Sequence, residues 1–451
     1  MGLYFYPRGG SAHAARAIAH QLRRNGLDVT ILAGSRSDLG DDARSKHFFG
    51  PDDVVEVDFT RALQSSDPAR FADPDAAPMH ASYEDRPGAE DPVIAALDDE
   101  AFEIQVGAWA RELAEARAAE ADLLYLHHLT PINEAAARAF PELPILGHVH
   151  GSELLMLERI GNGPPSGWRH AKQWVARLVA WAERCDRVVV NSPEGLDRAA
   201  ALLDLDPAKL VLVPNGFDPC FHPFDLDRRV HWRARLVAEP RGWRPGSGPG
   251  SVRYVEADLD GLKGPTLLYS GRFTEVKRLP LLIEAFAAAR ERFAKRAALV
   301  LLGGYPGEWE GEHPIETIER IAVPDVFLAG WHGQDELPRF LAASDILVHA
   351  SVREQFGQVL VEAMACAIPP IAVARGGPAA IIDHGTTGWL VPPDDRGAMV
   401  EAMVEAVNHP ELSRERGRQA CRVAGERYTW GQIGKRLVAV LGEVAAMPAD
   451  R

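Results

Sequence analysis

The chain contains two successive series of short, almost uninterrupted apolar runs, each followed by a segment whose apolar residues recur at helical spacing. The first series falls at 3–6, 29–31, 123–126, 145–149, 188–190 and 211–213, and the second at 266–269, 298–302, 326–328, 346–349 and 371–373. Nearly continuous apolar runs are how strands read when a parallel sheet is covered on both faces, and strand–helix alternation builds such a sheet. The helices between them show in Ala15, Ile18 and Leu22, in Phe102, Val106, Trp109 and Leu113, and again at 174–182, 196–203, 281–293 and 337–343. A chain of 451 residues exceeds the roughly 250–300 residues at which single cores stop growing. Two α/β domains, each an open parallel sheet, are therefore expected.

The alternation breaks between the two series, and the Gly- and Pro-rich stretch 241–251 reads as punctuation. An N-terminal domain at 1–225, an interdomain linker at 226–262 and a C-terminal domain at 263–429 follow from this pattern. Within the first domain, about 35–99 is rich in Asp, Pro, Ser and Gly with weak periodicity, and is expected to be a decorated loop or small insertion. Trp430, Ile433, Leu437 and Leu441 predict a last helix over about 430–451.

Charge and cysteine usage narrow the class of partner. A net charge of −15 excludes an extended nucleic-acid partner, since phosphate binding there needs clustered Lys and Arg. A small basic cleft on an acidic protein remains compatible with a nucleotide. Cys185, Cys220, Cys366 and Cys421 are widely spaced, without a CxxC pair, and point to reduced thiols and a cytoplasmic setting. Too few apolar residues precede Arg8 for a signal-peptide core, and no run approaches the roughly 18 apolar residues of a membrane helix. No membrane span is expected, while peripheral contact and oligomeric state stay open.

Chemistry concentrates after the strands of the second series. Glu354, Phe356, Gly357 and Glu362 lie where the run 346–349 passes through a loop into a helix, the place where open parallel sheets bind ligands and helix amides face anions. The two carboxylates could hold opposite ends of one elongated ligand, although an isolated pair so spaced is more often solvated. Arg272 and Lys277 follow the first strand of the second domain and could hold a diphosphate, neutralising a leaving group without a divalent metal. His148 and His150 would face one side of a strand end, but with no third ligand evident the residues read as packing and a functional contact rather than a metal site.

These residues resemble glycosyltransferase family 4. Glu354 to Glu362 is similar to its E-x-F-G-x-x-x-x-E signature, Gly9-Gly10-Ser11 to its N-terminal glycine loop, and His150-Gly151-Ser152-Glu153 to its H-G-S/T-D/E motif. Asn215-Gly216-Phe217-Asp218, Gly271-Arg272 with Lys277, and Gly376-Gly377 with Gly385 to Leu390 complete six matches in the family's order. The resemblance implies the GT-B fold, two Rossmann-like domains facing each other across a cleft, with the last helix crossing back to the first domain. It implies a retaining transferase that moves a sugar from a UDP- or GDP-sugar co-substrate to a small polar acceptor, a specialised or thiol metabolite among the options, with no cofactor or metal. Gly10 amides, Arg272 and Lys277 would then hold the diphosphate. Glu354 with the amides around Phe356 and Gly357 would hold the donor sugar, Glu362 the ribose, and His150 would contact the transferred sugar and orient the acceptor. Ala380 stands where the family often has Glu, and Ala350 and Ala367 replace a common Pro and Gly.

A catalytically silent sugar-nucleotide binder is the alternative, disfavoured by the intact Arg272, Lys277, Glu354 and His150. A nicotinamide oxidoreductase would need G-x-G-x-x-G at the first turn, which Gly9-Gly10 does not supply. Acceptor contacts are expected in the first domain, with His80, Tyr83, His127, His128 and Thr130 as candidates.

Overall fold

Seven parallel strands form the first sheet in the computed structural model, which describes residues 1–50, 52–85 and 90–447. They are β1 (Gly2–Leu3), β2 (Ile31–Ser35), β3 (Val54–Asp58), β4 (Leu124–His127), β5 (Ile145–His148), β6 (Arg187–Val190) and β7 (Leu210–Leu212), in the order β3-β2-β1-β4-β5-β6-β7. Six more form a second parallel sheet: β8 (Thr266–Gly271), β9 (Ala298–Gly303), β10 (Val326–Gly330), β11 (Ile346–His349), β12 (Pro370–Val373) and β13 (Trp389–Val391), ordered β10-β9-β8-β11-β12-β13. The chain divides into one unit of residues 1–215 with the segment from Trp430 onward, and a second unit of 216–429. Both are α/β sheets of the kind the apolar runs require.

In the first unit, helix Asp99–Glu115 starts where the Asp98 carboxylate accepts from the Ala101 amide, and it buries Phe102, Val106, Trp109 and Leu113. The final helix, Trp430–Ala445, lies on helix Gly10–Arg24, so that Trp430, Ile433, Leu437 and Leu441 share one apolar cluster with Ile18, Leu22 and Tyr125. Residues 448–451, which the sequence places at the end of that helix, lie outside the described residues. No helix among the described residues is long and apolar enough to cross a membrane.

Two expectations need correction. The stretch 226–262 is not a linker: it is part of the second unit, whose boundary falls at 215/216 rather than 225/226. Helix Arg228–Arg233 continues into a π-helical turn at Ala234–Ala238, and Trp232 and Trp243 are fully buried. Two isolated tryptophans, one in a helix of six residues and one in irregular backbone, anchor this segment, so it carries no periodic signal. The region 35–99 likewise holds more than a loop. Its strand β3 pairs with β2 from Ile31↔Val54 to Ser35↔Asp58, as an edge strand whose Glu56 and Asp58 mask the apolar run. Residues 51 and 86–89 of that region lie outside the described residues.

Candidate functional site

Strand order in the second unit reverses between β8 and β11, and the loops leaving adjacent carboxyl ends at such a switch point open a crevice. From β8 the chain enters Arg272 and the 3-10 turn Glu275–Lys277; from β11, whose last residue is His349, it runs to Glu354. Glu354 Oε1 accepts a hydrogen bond from His349 Nε2 at 2.7 Å and a short charged contact from Lys277 Nζ. Burial by itself would push the Glu354 carboxyl up, but Lys277 and then His349 outweigh it and hold the group well below the usual carboxylate range. The His349 ring stacks on Tyr269 at 6.0 Å and 11°, and Tyr269 Oη donates to the Arg272 carbonyl at 2.7 Å. A Tyr–His pair thus ties both loops together. Arg272 itself is exposed, and its side chain makes no hydrogen bond or ion pair among the described residues.

Gly357, at φ 93°, turns the chain into helix Gln358–Ala365. Phe356 is buried against Tyr428 at 5.9 Å, so its backbone rather than its ring is what this loop can present to a ligand. Gly377 closes the loop from behind: its N–H donates to the Glu354 carbonyl at 2.9 Å, and a Cβ there would sit 1.9 Å from the Phe356 carbonyl oxygen. Gly377→Ala must therefore displace the backbone that carries Glu354. We expect it to lose about 1–3 kcal/mol of stability, a fall of several degrees in a thermal melt, together with donor affinity in calorimetry. An unchanged melt and unchanged affinity would contradict this packing.

Glu362 is 3% exposed and accepts from Gln334 Nε2 at 2.7 Å. Burial, reinforced by Asp218 against the hydrogen bonds of Gln358 and Gln334, pushes its carboxyl up to about 8. The expected ionised carboxylate is therefore largely protonated at neutral pH in the free protein. A protonated carboxyl still serves a diol, since it donates once and accepts elsewhere.

The first unit gathers histidines at the carboxyl ends of β4 and β5. Because His127 and His148 are register partners, the third imidazole that spacing does not supply beside His148 and His150 comes from the neighbouring strand, and ligand atoms of all three lie within 4.8 Å of one another. Their present arrangement is a hydrogen-bonded stack: His127 Nδ1 meets His150 Nε2 at 2.9 Å, Tyr125 Oη meets His148 Nδ1 at 2.7 Å, and the His148 and His150 rings stack at 4.1 Å and 14°. Rings that face one another do not radiate around a common ion, so metal binding by these three would require rotation of the imidazoles. Burial, and then the neighbouring histidines, lower all three well below the ordinary imidazole value, which keeps them neutral at pH 7. His128, with φ 68°, bonds the buried Glu153 carboxylate through Nδ1 at 2.6 Å, and Glu153 Oε2 accepts from the Gly151 amide at 3.0 Å. Glu153 thereby fixes the turn that carries His150.

Other acceptor candidates are corrected. His80 is fully buried among the rings of Tyr4, Phe5, Tyr6 and Phe59, and Tyr83, 3% exposed, donates to the Leu129 carbonyl at 2.5 Å. Both are core residues, because the segment around 79–83 packs against Tyr4, Phe5 and Tyr6, just after β1. Thr130 is buried as the N-cap of helix Pro131–Ala139, its N–H held by Asn133 Oδ1 at 2.9 Å. Gly10, exposed and with open space around its Cα, begins helix Gly10–Arg24; the Ala12 and His13 amides already donate to the Gly9 carbonyl, which leaves those of Gly10 and Ser11 to face an anion. The contributions of His349, Tyr269 and Gln334 were not foreseen. Only His349 leaves a sequence signal, a lone histidine closing an apolar strand.

Comparison with known proteins agrees with this layout. Residues 8–220 match the model of Glycosyltransferase Family 4, and 257–423 match that of Glycosyl transferases group 1. The D-inositol 3-phosphate glycosyltransferase of Saccharomonospora viridis is 28% identical over 58% of this chain and 56% of its own. Mannosylfructose-phosphate synthase of Agrobacterium fabrum is 25% identical over 58% and 54%. The chain thus spans about half the length of these curated relatives. Among solved structures, sucrose-phosphate synthase from Thermosynechococcus elongatus aligns over 99% of this chain and 98% of its own at TM-score 0.69 and 19% identity. Anabaena HepE in complex with UDP and glucose aligns over 98% of each chain at TM-score 0.66 and 18% identity. Each unit has a glycosyltransferase family model of its own, and the two together indicate a GT-B glycosyltransferase of the family 4 kind.

Proposed function

We propose that the chain transfers a sugar from a UDP- or GDP-sugar to a hydroxyl or other nucleophile of a small polar acceptor, retaining anomeric configuration and needing no metal. One observation carries this reading: Glu354 is an ionised, half-buried carboxylate held between Lys277 and His349 at the switch point of the second sheet. An ionised carboxylate there can accept from two vicinal sugar hydroxyls, and Lys277 has a stronger anion to turn to when a diphosphate arrives. Arg272, exposed on the same loop, supplies the second cation. Together they offset the charge that grows on the leaving phosphate, which is the work a divalent ion does elsewhere. Retention then proceeds on one face through an oxocarbenium-like state, the departing phosphate drawing the acceptor proton. His150, neutral and oriented by His127, suits a contact with the transferred sugar and the acceptor.

The acceptor itself is expected to lack a phosphate, although two curated relatives are named for phosphorylated compounds. The arginines that follow β1 and β2 are already matched: Arg8 with Asp91 at 2.6 Å, and Arg36 with Asp38 at 2.7 Å and Glu90 at 2.8 Å. Neutral polyols and thiols are the first compounds to test. The assay is release of nucleoside diphosphate from a panel of UDP- and GDP-sugars with and without EDTA, and product stereochemistry by NMR. Turnover that survives EDTA and yields the donor's anomer supports the reading. Binding without turnover for every acceptor would favour the silent binder, and no thermal shift with any nucleoside diphosphate would remove the donor site.

A further inference from the structure

Buried polar atoms in folded proteins nearly always have a hydrogen-bond partner, and each exception asks for a reason. Two exceptions lie side by side at the carboxyl ends of β4 and β5. His127 and His148 are each 1% exposed, and the Nε2 atom of each is buried with no hydrogen-bond partner among the described residues. His150 brings a third ring, its centroid 4.1 Å from that of His148 and 5.1 Å from that of His127. Tyr125 Oη meets His148 Nδ1 at 2.7 Å, and His127 Nδ1 meets His150 Nε2 at 2.9 Å. The carboxylate of the same turn, Glu153, is already shared between His128 Nδ1 at 2.6 Å and the Gly151 amide at 3.0 Å. The three rings therefore offer nitrogen alone.

We propose that His127, His148 and His150 form an inhibitory site for a divalent ion that prefers imidazole, zinc or nickel rather than magnesium or calcium. A tetrahedral zinc ion bound to nitrogen at about 2.0–2.1 Å sets its ligands about 3.3 Å apart, and one ligand nitrogen of each ring already lies within 4.8 Å of the other two. Rotation of the rings closes that gap, since strand register holds the backbones of His127 and His148 opposite each other. His150 turns most freely, being half-buried and beyond the end of β5. The hydrogen between His127 and His150 passes to the other nitrogen of the ring that carries it, so every imidazole stays neutral. His148 is already arranged as a ligand. With its hydrogen on Nδ1, given to the Tyr125 hydroxyl, its Nε2 lone pair is free, and such an outer bond is what orients a metal-bound imidazole. Three protein nitrogens leave the fourth position to water. Inhibition rests on the reading that puts His150 at the transferred sugar, because a ring turned to the ion is withdrawn from that contact. Transfer itself needs no ion, and chelation raises turnover wherever the protein carries one.

The test titrates the metal-stripped full chain with cobalt(II), followed by visible absorption, and with zinc and magnesium by calorimetry, in wild type, His148→Phe and Tyr125→Phe. One equivalent of cobalt should give the intense visible bands of a four-coordinate site; zinc should displace it, and magnesium should not. His148→Phe should abolish the bands. Tyr125→Phe, which keeps the ring and loses only the hydroxyl, should weaken zinc about 10-fold or more. One equivalent of zinc should inhibit sugar transfer by the wild type, and EDTA should restore it. No cobalt bands in the wild type, or equal zinc affinity in all three proteins, as chelation through the exposed Cys220 would give, would overturn the site. Zinc bound with the expected pattern across the variants while transfer runs undiminished would overturn the inhibitory role. Wild-type cobalt bands in a protein with no affinity for any nucleoside diphosphate would uphold the site and remove the nucleotide-sugar reading together with the inhibition built on it.

Discussion

Lys277→Ala is expected to lower kcat/KM for the donor by about a hundredfold or more, the scale on which loss of one preorganised charge at a leaving group is felt. The contact it removes is also structural, since Glu354, with its side chain only 15% exposed, shares one oxygen between Lys277 and His349. Taking away one partner of a buried pair leaves an uncompensated charge, at a cost of about 3–5 kcal/mol. Glu354 would answer by drawing up a proton. In the wild type its folded value lies below the ordinary 4.5, so its contribution to stability is present above 4.5 and is lost as pH falls through the lower, folded value. Without Lys277 the folded value rises, and the loss of stability and activity on acidification moves to higher pH. A Lys277→Ala/Glu354→Gln double variant separates the two roles. It should recover much of the melting temperature, because no buried charge is left unpaired, and recover none of the activity. Lys277→Ala with kcat/KM within threefold of wild type would end the assignment.

Why this pair was legible in the sequence while its surroundings were not follows from the kind of signal each leaves. Lys277 and Glu354 sit at fixed distances from strands whose apolar runs are unmistakable, and parallel topology then puts both loops at one end of the sheet. His349 and Tyr269 act through ring stacking and a backbone carbonyl across two strands, contacts that exist only once β8 and β11 are paired. The third histidine of the first unit was hidden for the same reason, since His127 becomes a neighbour of His148 through strand register and not through spacing. His80 and Tyr83 escape a reading by composition, because an irregular stretch rich in polar residues has the composition of surface. Its own Met79, His80 and Tyr83 fill the layer beside Tyr4 and Phe5, just after β1, and irregular backbone buries as well as regular backbone when its polar groups find partners, as Gln105 Nε2 does for the Met79 carbonyl at 2.8 Å. The segment 226–262 shows the same limit, its Trp232 and Trp243 anchoring a π-turn and a bridge that no period announces.

Glu362→Gln is expected to stabilise the protein at alkaline pH and to leave it nearly unchanged in acid. The Glu362 carboxyl rises from 4.5 to about 8 in the folded chain, first because it is buried and then because Asp218 is near. A group whose folded value is raised has its full share of stability below the unfolded value, and that share is lost as pH climbs toward the folded one. Between about 4.5 and 8 the unfolded chain releases this proton while the folded chain keeps it. Each pH unit in that window therefore costs the wild type roughly 1 kcal/mol. Glutamine has no proton to release, and its carbonyl can still accept from Gln334 Nε2, so the variant escapes the slope. Melting temperatures should coincide near pH 4.5 and separate steadily to about pH 8, the variant ending several degrees higher. Parallel curves across that range would mean that Glu362 is ionised throughout. Nucleotide binding draws on the same titration. A ribose that prefers the ionised carboxylate must expel the proton, so binding by the wild type should release one near neutral pH, seen as a dependence of the calorimetric heat on buffer ionisation, while Glu362→Gln shows no such dependence.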